Sequence, residues 1–146
     1  MVEEKGESSS LTAAAPARSR AGRSHAPTAI CASNEDVRLL LRGILRLDRY
    51  PVTKEAASPA ALGRPPPESR VLIYDTGGDA AGGLESLEAL ARENPGLEVL
   101  ALLPVGGEGL RPAAERAGAR GTLVKPFSAH ELTEAIDALV ADPGMP

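Results

Sequence analysis

Asp75 follows a short apolar and aromatic run, Val71-Leu-Ile-Tyr74, and precedes Thr76-Gly-Gly-Asp79. A carboxylate set between a strand-like run and glycines is held at a chain reversal, where two roles fit it. It is a reacting group presented at a strand end, or a polar residue that simply terminates the strand. Few other residues have chemistry to offer. Cys31 stands alone in an apolar run, so neither a disulfide nor a metal cluster can be built on it within the chain, and a buried thiol is expected. His25 and His130 lack the paired spacing of a metal site and read as solvated residues. The glycine-rich stretches 77–83 and 106–109 lack the terminal Lys-Ser/Thr of a phosphate-cradling loop.

The elements that must position Asp75 are legible as short apolar runs alternating with helical patterns, the signature of parallel α/β units. Residues 28–32 form a buried-strand candidate. Ser33-Asn34 can cap a helix whose apolar positions are Val37, Leu40, Leu41, Ile44 and Leu45. A second strand is expected at 50–53, weakened by Pro51, followed by a turn or two of helix within 56–62 that Pro65-Pro-Pro67 stops. The continuous run 71–75 reads as a central strand covered on both faces. A helix starting near Gly83 carries Leu84, Leu87, Leu90 and Ala91 on one face and ends at Asn94-Pro-Gly96. Residues 97–103 give a fourth strand. A small-residue helix through Leu110, Ala113, Ala114 and Ala117 ends at Gly118, a candidate left-handed cap. Residues 121–124 give a fifth strand, and Ser128-Ala-His-Glu131 opens a last helix with a capping-box pattern. Five strands and five helices in strict alternation predict a doubly wound α/β sheet with functional groups at the carboxyl ends of the strands. Ala32, Asp75, Leu103 and Lys125 stand at those ends.

Residues 1–27 are rich in Ser, Ala, Arg and Gly without apolar periodicity, and read as a disordered tail. Residues 28–141 form the domain and 142–146 a short C-terminal tail. The first tail carries a net +1, which leaves 17 acids against 12 bases, net −5, on the remainder. An acidic folded part argues against a nucleic-acid surface. No run approaches the ~18 apolar residues of a membrane span, and the tail lacks the apolar core of a signal peptide, so a cytoplasmic protein is expected.

The stretch Ala117-Gly-Ala-Arg-Gly121-Thr-Leu-Val-Lys125-Pro-Phe127 resembles the last strand of bacterial response-regulator receiver domains. Asp75 with Gly83-Leu-Glu85 eight residues on is similar to the family's phosphoacceptor aspartate and the helix after it. Val37-Arg38 with Leu40-Leu41 is similar to the opening of its first helix. The resemblance covers about 28–141 and implies a flavodoxin-like (βα)5 fold with strand order 2-1-3-4-5. In that family an aspartate takes a phosphoryl group from a histidine kinase, two acids after the first strand join it in holding Mg²⁺, and a Ser/Thr and a lysine contact the phosphoryl oxygens. The resemblance puts Asp75 at the phosphoacceptor position and Lys125 at the lysine position, with Lys125-Pro126 expected to be cis. The acidic pair falls on Ala32 and Ser33 and the switch hydroxyl on Leu103, so the site is degenerate. Thr122 stands where an aromatic switch residue is common.

Physical chemistry gives those losses a meaning. Mg²⁺ needs carboxylates to hold it, and phosphoryl transfer needs the cation to neutralise developing charge. Glu35 and Asp36 are weak candidates to rebuild a metal site, although their place in the first turn of a helix is explained by the helix dipole. Asp79 reads as a solvated loop acid. Lys125 pairs with Asp75 either structurally or as part of a working site. The expected function is a stand-alone, non-enzymatic receiver-like module acting through a signalling protein, a histidine kinase or a downstream effector, without a cofactor. Its partner surface is expected on the fourth helix, fifth strand and fifth helix, with the acidic row Glu131, Glu134 and Asp137 solvated or taking part. Two alternatives remain: phosphorylation on Asp75 with Mg²⁺, and a vacated pocket at Ala32, Ser33, Leu103 and Asp75 that admits a small ligand. Oligomeric state is left open.

Overall fold

The computed structural model describes residues 25–141. Residues 1–24 and 142–146, which hold most of the two expected tails, lie outside the described residues. The strands are β1 (Thr28–Cys31), β2 (Val52–Ala56), β3 (Val71–Asp75), β4 (Glu98–Leu103) and β5 (Gly121–Val124). The helices are α1 (Glu35–Leu47), α2 (Pro59–Leu62), α3 (Ala80–Glu93), α4 (Arg111–Arg116) and α5 (Ala129–Ala141), with a 3₁₀ turn at Gly107–Leu110 leading into α4. All strands are parallel in the order β2-β1-β3-β4-β5, as expected. β3 is buried along its whole length because the sheet is covered on both faces at its centre.

Two apolar layers result. On one face α1 and α5 bring Leu41, Leu45, Leu132 and Ile136 onto Ile30, Ile73, Leu100 and Leu102. On the other, α2, α3 and α4 bring Leu62, Leu87, Leu90 and Ala114 onto Leu72, Tyr74, Val99 and Leu103. Adjacent strand residues alternate between the layers, as the period of two requires. Local signals fix the helix starts. The Asn34 side chain accepts from the Val37 N–H, and Ser128 and Glu131 cap each other reciprocally through N–H···O contacts of 2.7 and 3.0 Å. No helix among the described residues is long and apolar enough to cross a membrane.

Several local expectations are corrected. β2 runs later than 50–53: Tyr50 is a buried core residue whose hydroxyl donates to Asp137 at 2.6 Å, and Pro51 offers only its carbonyl, to Thr28 N–H. The edge strand takes Lys54 and Glu55 because one face meets solvent. Leu40 is exposed, since the helix face that meets the sheet is narrower than the five apolar residues assigned to it. α3 begins at Ala80, not Gly83, and Asp79 is its N-cap, accepting from Gly82 N–H at 3.2 Å, so it is more than a solvated acid. α4 stops at Arg116, and Gly118, at φ 116°, caps it as expected: its N–H donates to Glu115 O and the Ala119 N–H to Ala114 O, both at 3.0 Å, while a side chain at Gly118 would collide with Ala91. His25 is not free in solvent: its ring stacks on Tyr50 with centroids 4.2 Å apart. Together with buried Ala26, and Pro27, whose carbonyl accepts from Arg70 and Val71, it starts the folded unit before residue 28. His130 is exposed, 3.2 Å from Glu134.

Candidate functional site

The carboxyl ends of β1, β3, β4 and β5 converge on Asp75. Its carboxylate is clamped from two directions. Lys125 Nζ lies 2.9 Å from Oδ2 and 3.1 Å from Oδ1, and the Gly77 N–H donates to Oδ1 at 2.9 Å. The aspartate side chain is 3% exposed and the lysine 26%. β3 and β5 are not neighbours, so the lysine spans β4 to reach the carboxylate. β4 holds both ends in place: Leu103 O accepts from Lys125 N–H at 3.0 Å, and Leu102 O accepts from both N–H and hydroxyl of Thr76. Behind the site, the Tyr74 hydroxyl donates to Gly83 O at 2.8 Å, and a side chain at Gly83 would collide with the Thr76 carbonyl. Glycine at 83 thus lets α3 close on the end of β3. The Lys125–Pro126 peptide is cis.

The other strand ends carry different groups. Ala32 is buried and its N–H donates to Ala56 O at 3.0 Å; Ser33 is exposed. Leu103 is fully buried among the apolar residues under α3 and α4. Thr122 is half-buried on β5 opposite Ala101. Glu35 and Asp36 are exposed in the first turn of α1, and no three His, Cys, Asp or Glu side chains among the described residues group to hold a metal.

Arg38 is the residue that motif reading missed. Its guanidinium Nη1 donates to Ala32 O at 2.7 Å and to Ser33 O at 3.2 Å. A cation in the first turns of a helix opposes the helix dipole. That conflict was the available signal: Arg38 gains from folding back onto carbonyls rather than from its place on the helix. The cation and the Asp75 anion both act on Cys31. Burial is the main reason its thiol is pushed up to about 11, with Asp75 adding to the rise and Arg38 opposing it. Tyr74 is also raised, mainly by burial.

Solved structures similar to this one include response-regulator receiver domains. The chain has the receiver-domain fold. A response regulator receiver domain protein from Clostridium thermocellum superposes with a TM-score of 0.68 at 21% identity, covering 80% of this chain and 94% of that one. The chemotaxis protein CheY4 of Vibrio cholerae gives 0.65 at 20% identity, over 80% and 99% of the two chains. NtrX of Brucella abortus, in a complex with ADP, gives 0.67 at 24% identity over 80% of this chain but only 27% of its own. No protein-family model matches the chain, and no curated protein does. The likeness to these solved receivers is one of fold, at 20–24% identity.

Proposed function

We propose that this receiver-fold chain is a two-component signalling module that works by contact with a protein partner in the cytoplasm, with little or no Mg²⁺-dependent phosphorylation and no catalytic activity of its own. One observation carries this reading. The Asp75 carboxylate is held by Lys125 and the Gly77 N–H, while Arg38 grips the carbonyls of Ala32 and Ser33, where receivers carry their acidic pair. This donor set does not fit Mg²⁺, which dehydrates reluctantly and is held through carboxylates together with water and phosphate oxygens. Asp75 is the one acid at the strand ends, and the guanidinium puts positive charge where the ion would need negative charge. Buried Leu103 offers no hydroxyl to a phosphoryl group, so a modified Asp75 would lack a differential contact through which to move β4 and α4. A fixed partner surface on α4, β5 and α5, with Thr122 on it, is the consistent outcome. A histidine kinase or a downstream effector is the partner class, and the net negative charge of the described domain supports a protein rather than a nucleic acid.

Phosphorylation of Asp75 is the competing reading, favoured by the Lys125 ammonium 2.9 Å from its carboxylate. The small-ligand reading has less behind it, because Ala32 and Leu103 are packed into the two apolar layers rather than lining a space. Amide NMR with Mg²⁺ and then a beryllofluoride phosphoryl mimic separates the readings. The expected result is no specific shift at Asp75, Gly77, Lys125 or β4. Saturable shifts there that require Mg²⁺ would establish a working phosphoacceptor site instead.

A further inference from the structure

α1 carries an apolar stripe that the fold does not use. Leu39, Leu40 and Leu47 are 45, 57 and 83% exposed, three of the four exposed large hydrophobics among the described residues. Leu40, Gly43 and Leu47 follow one another at three and four positions along the same side of the helix. A Cβ at Gly43 would meet nothing within 4 Å, so the backbone itself is bare at the middle of that stripe. Glycine in a helix interior costs about 1 kcal/mol relative to alanine. No contact within the domain requires it here, whereas a second helix laid across this point would come closest over a residue without a side chain.

The charges on the helix indicate what that second helix is. Glu35 and Asp36 are exposed at the amino end; Arg46 and Arg49 are exposed at and just past the carboxyl end, outnumbering Asp48 between them. None of Glu35, Asp36, Arg46 and Arg49 takes part in an ion pair of the domain. A pattern acidic at one end, apolar in the middle and basic at the other is complementary to itself when reversed. We infer that α1 is a self-association surface, on which a second copy of this chain packs its own α1 antiparallel across a two-fold axis at Gly43.

Under that symmetry a residue a given number of positions before Gly43 meets the one equally far after it in the other copy. Leu39 then faces Leu47, the stem of Arg46 lies over Leu40, and Asp36 comes within one position of the partner's Arg49, with every contact made twice. The two helix dipoles oppose each other favourably. The helix is only about 20 Å long at 1.5 Å per residue, so the contact is smaller than that of a permanent dimer, and association is expected to depend on concentration in the micromolar range. The inference is independent of whether Asp75 reacts.

Sedimentation of the full chain from low micromolar to near-millimolar concentration tests it. The mass is expected to rise from the single-chain 15.0 kDa toward twice that value. L40E/L47E, which changes only exposed side chains, is expected to stay at the single-chain mass with an unchanged circular dichroism spectrum. Asp36→Arg is expected to weaken association about tenfold, because two-fold symmetry doubles each charge reversal. Adding R49D to that variant is expected to restore it. A wild-type chain that remains single across the range overturns the inference. So does an assembly that L40E/L47E leaves intact, or a charge swap that fails to restore what Asp36→Arg lost.

Discussion

The ends of β3 and β5 and the ends of β1 and β4 meet at one corner of the sheet, yet they are built on opposite chemistry. Asp75 and Lys125 form a charged pair of which the carboxylate is almost wholly buried. Ala32 and Leu103 are apolar and packed, and a cation from α1 covers the β1 end. A lone buried carboxylate would be costly, so retaining Asp75 demands retaining Lys125. At the β1 end, small Ala32 with Arg38 over its carbonyl needs no such counter-charge. The charged half thus depends on its partner for stability, whereas the apolar half is held by packing.

That contrast can be broken from the charged side first. Gly83→Ala drives a methyl group into the Thr76 carbonyl behind Asp75, and a loss of about 3 kcal/mol or more is expected in urea denaturation. Lys125→Met leaves the carboxylate without its counter-charge and should cost about 2–3 kcal/mol. Adding Asp75→Asn to it should cost less than the sum of the two single changes, because they share one interaction. Additive losses would mean that the pair contributes little to stability.

Alkaline pH probes the space between the halves. The Cys31 thiol is raised from 9.0 to about 11 in the folded protein, so the folded state holds its proton longer than the unfolded chain does. Stability is therefore full below pH 9 and falls as pH rises from 9 toward 11, by an amount of order 2 kcal/mol, and Tyr74 acts in the same direction. Cys31→Ala should flatten the part of that fall owed to the thiol. On the neutral side, Arg38→Ala should cost only about 1 kcal/mol, since it removes hydrogen bonds to carbonyls at the edge of solvent. Amide shifts confined to Ala32, Ser33 and the start of α1 would mark its reach.

The alternation of strands and helices was legible in short uninterrupted runs such as those of β3 and β5, whereas the strand order and the meeting of Asp75 with Lys125 followed from the resemblance of the segments around them to receivers. Periodicity could not tell which side of α1 faces the sheet: the leucines at 39, 40, 41, 45 and 47 go more than halfway round the helix, and packing alone exposes Leu40. Tyr50 was misplaced because a buried aromatic beside a proline looks like strand, although its ring and hydroxyl serve α5 and His25. Arg38 was hidden for another reason. Its partners are backbone carbonyls, which every residue has, so no residue pattern announces them.

The central claim is that Asp75 serves as an ion-pair partner more than as a phosphoryl acceptor. Intact-mass measurement after incubation with a small-molecule acyl phosphate, with and without Mg²⁺, tests it most directly. The expected result is an unmodified chain in both conditions. A stoichiometric, acid-labile phosphoryl adduct that requires Mg²⁺ and disappears in Asp75→Asn would contradict it.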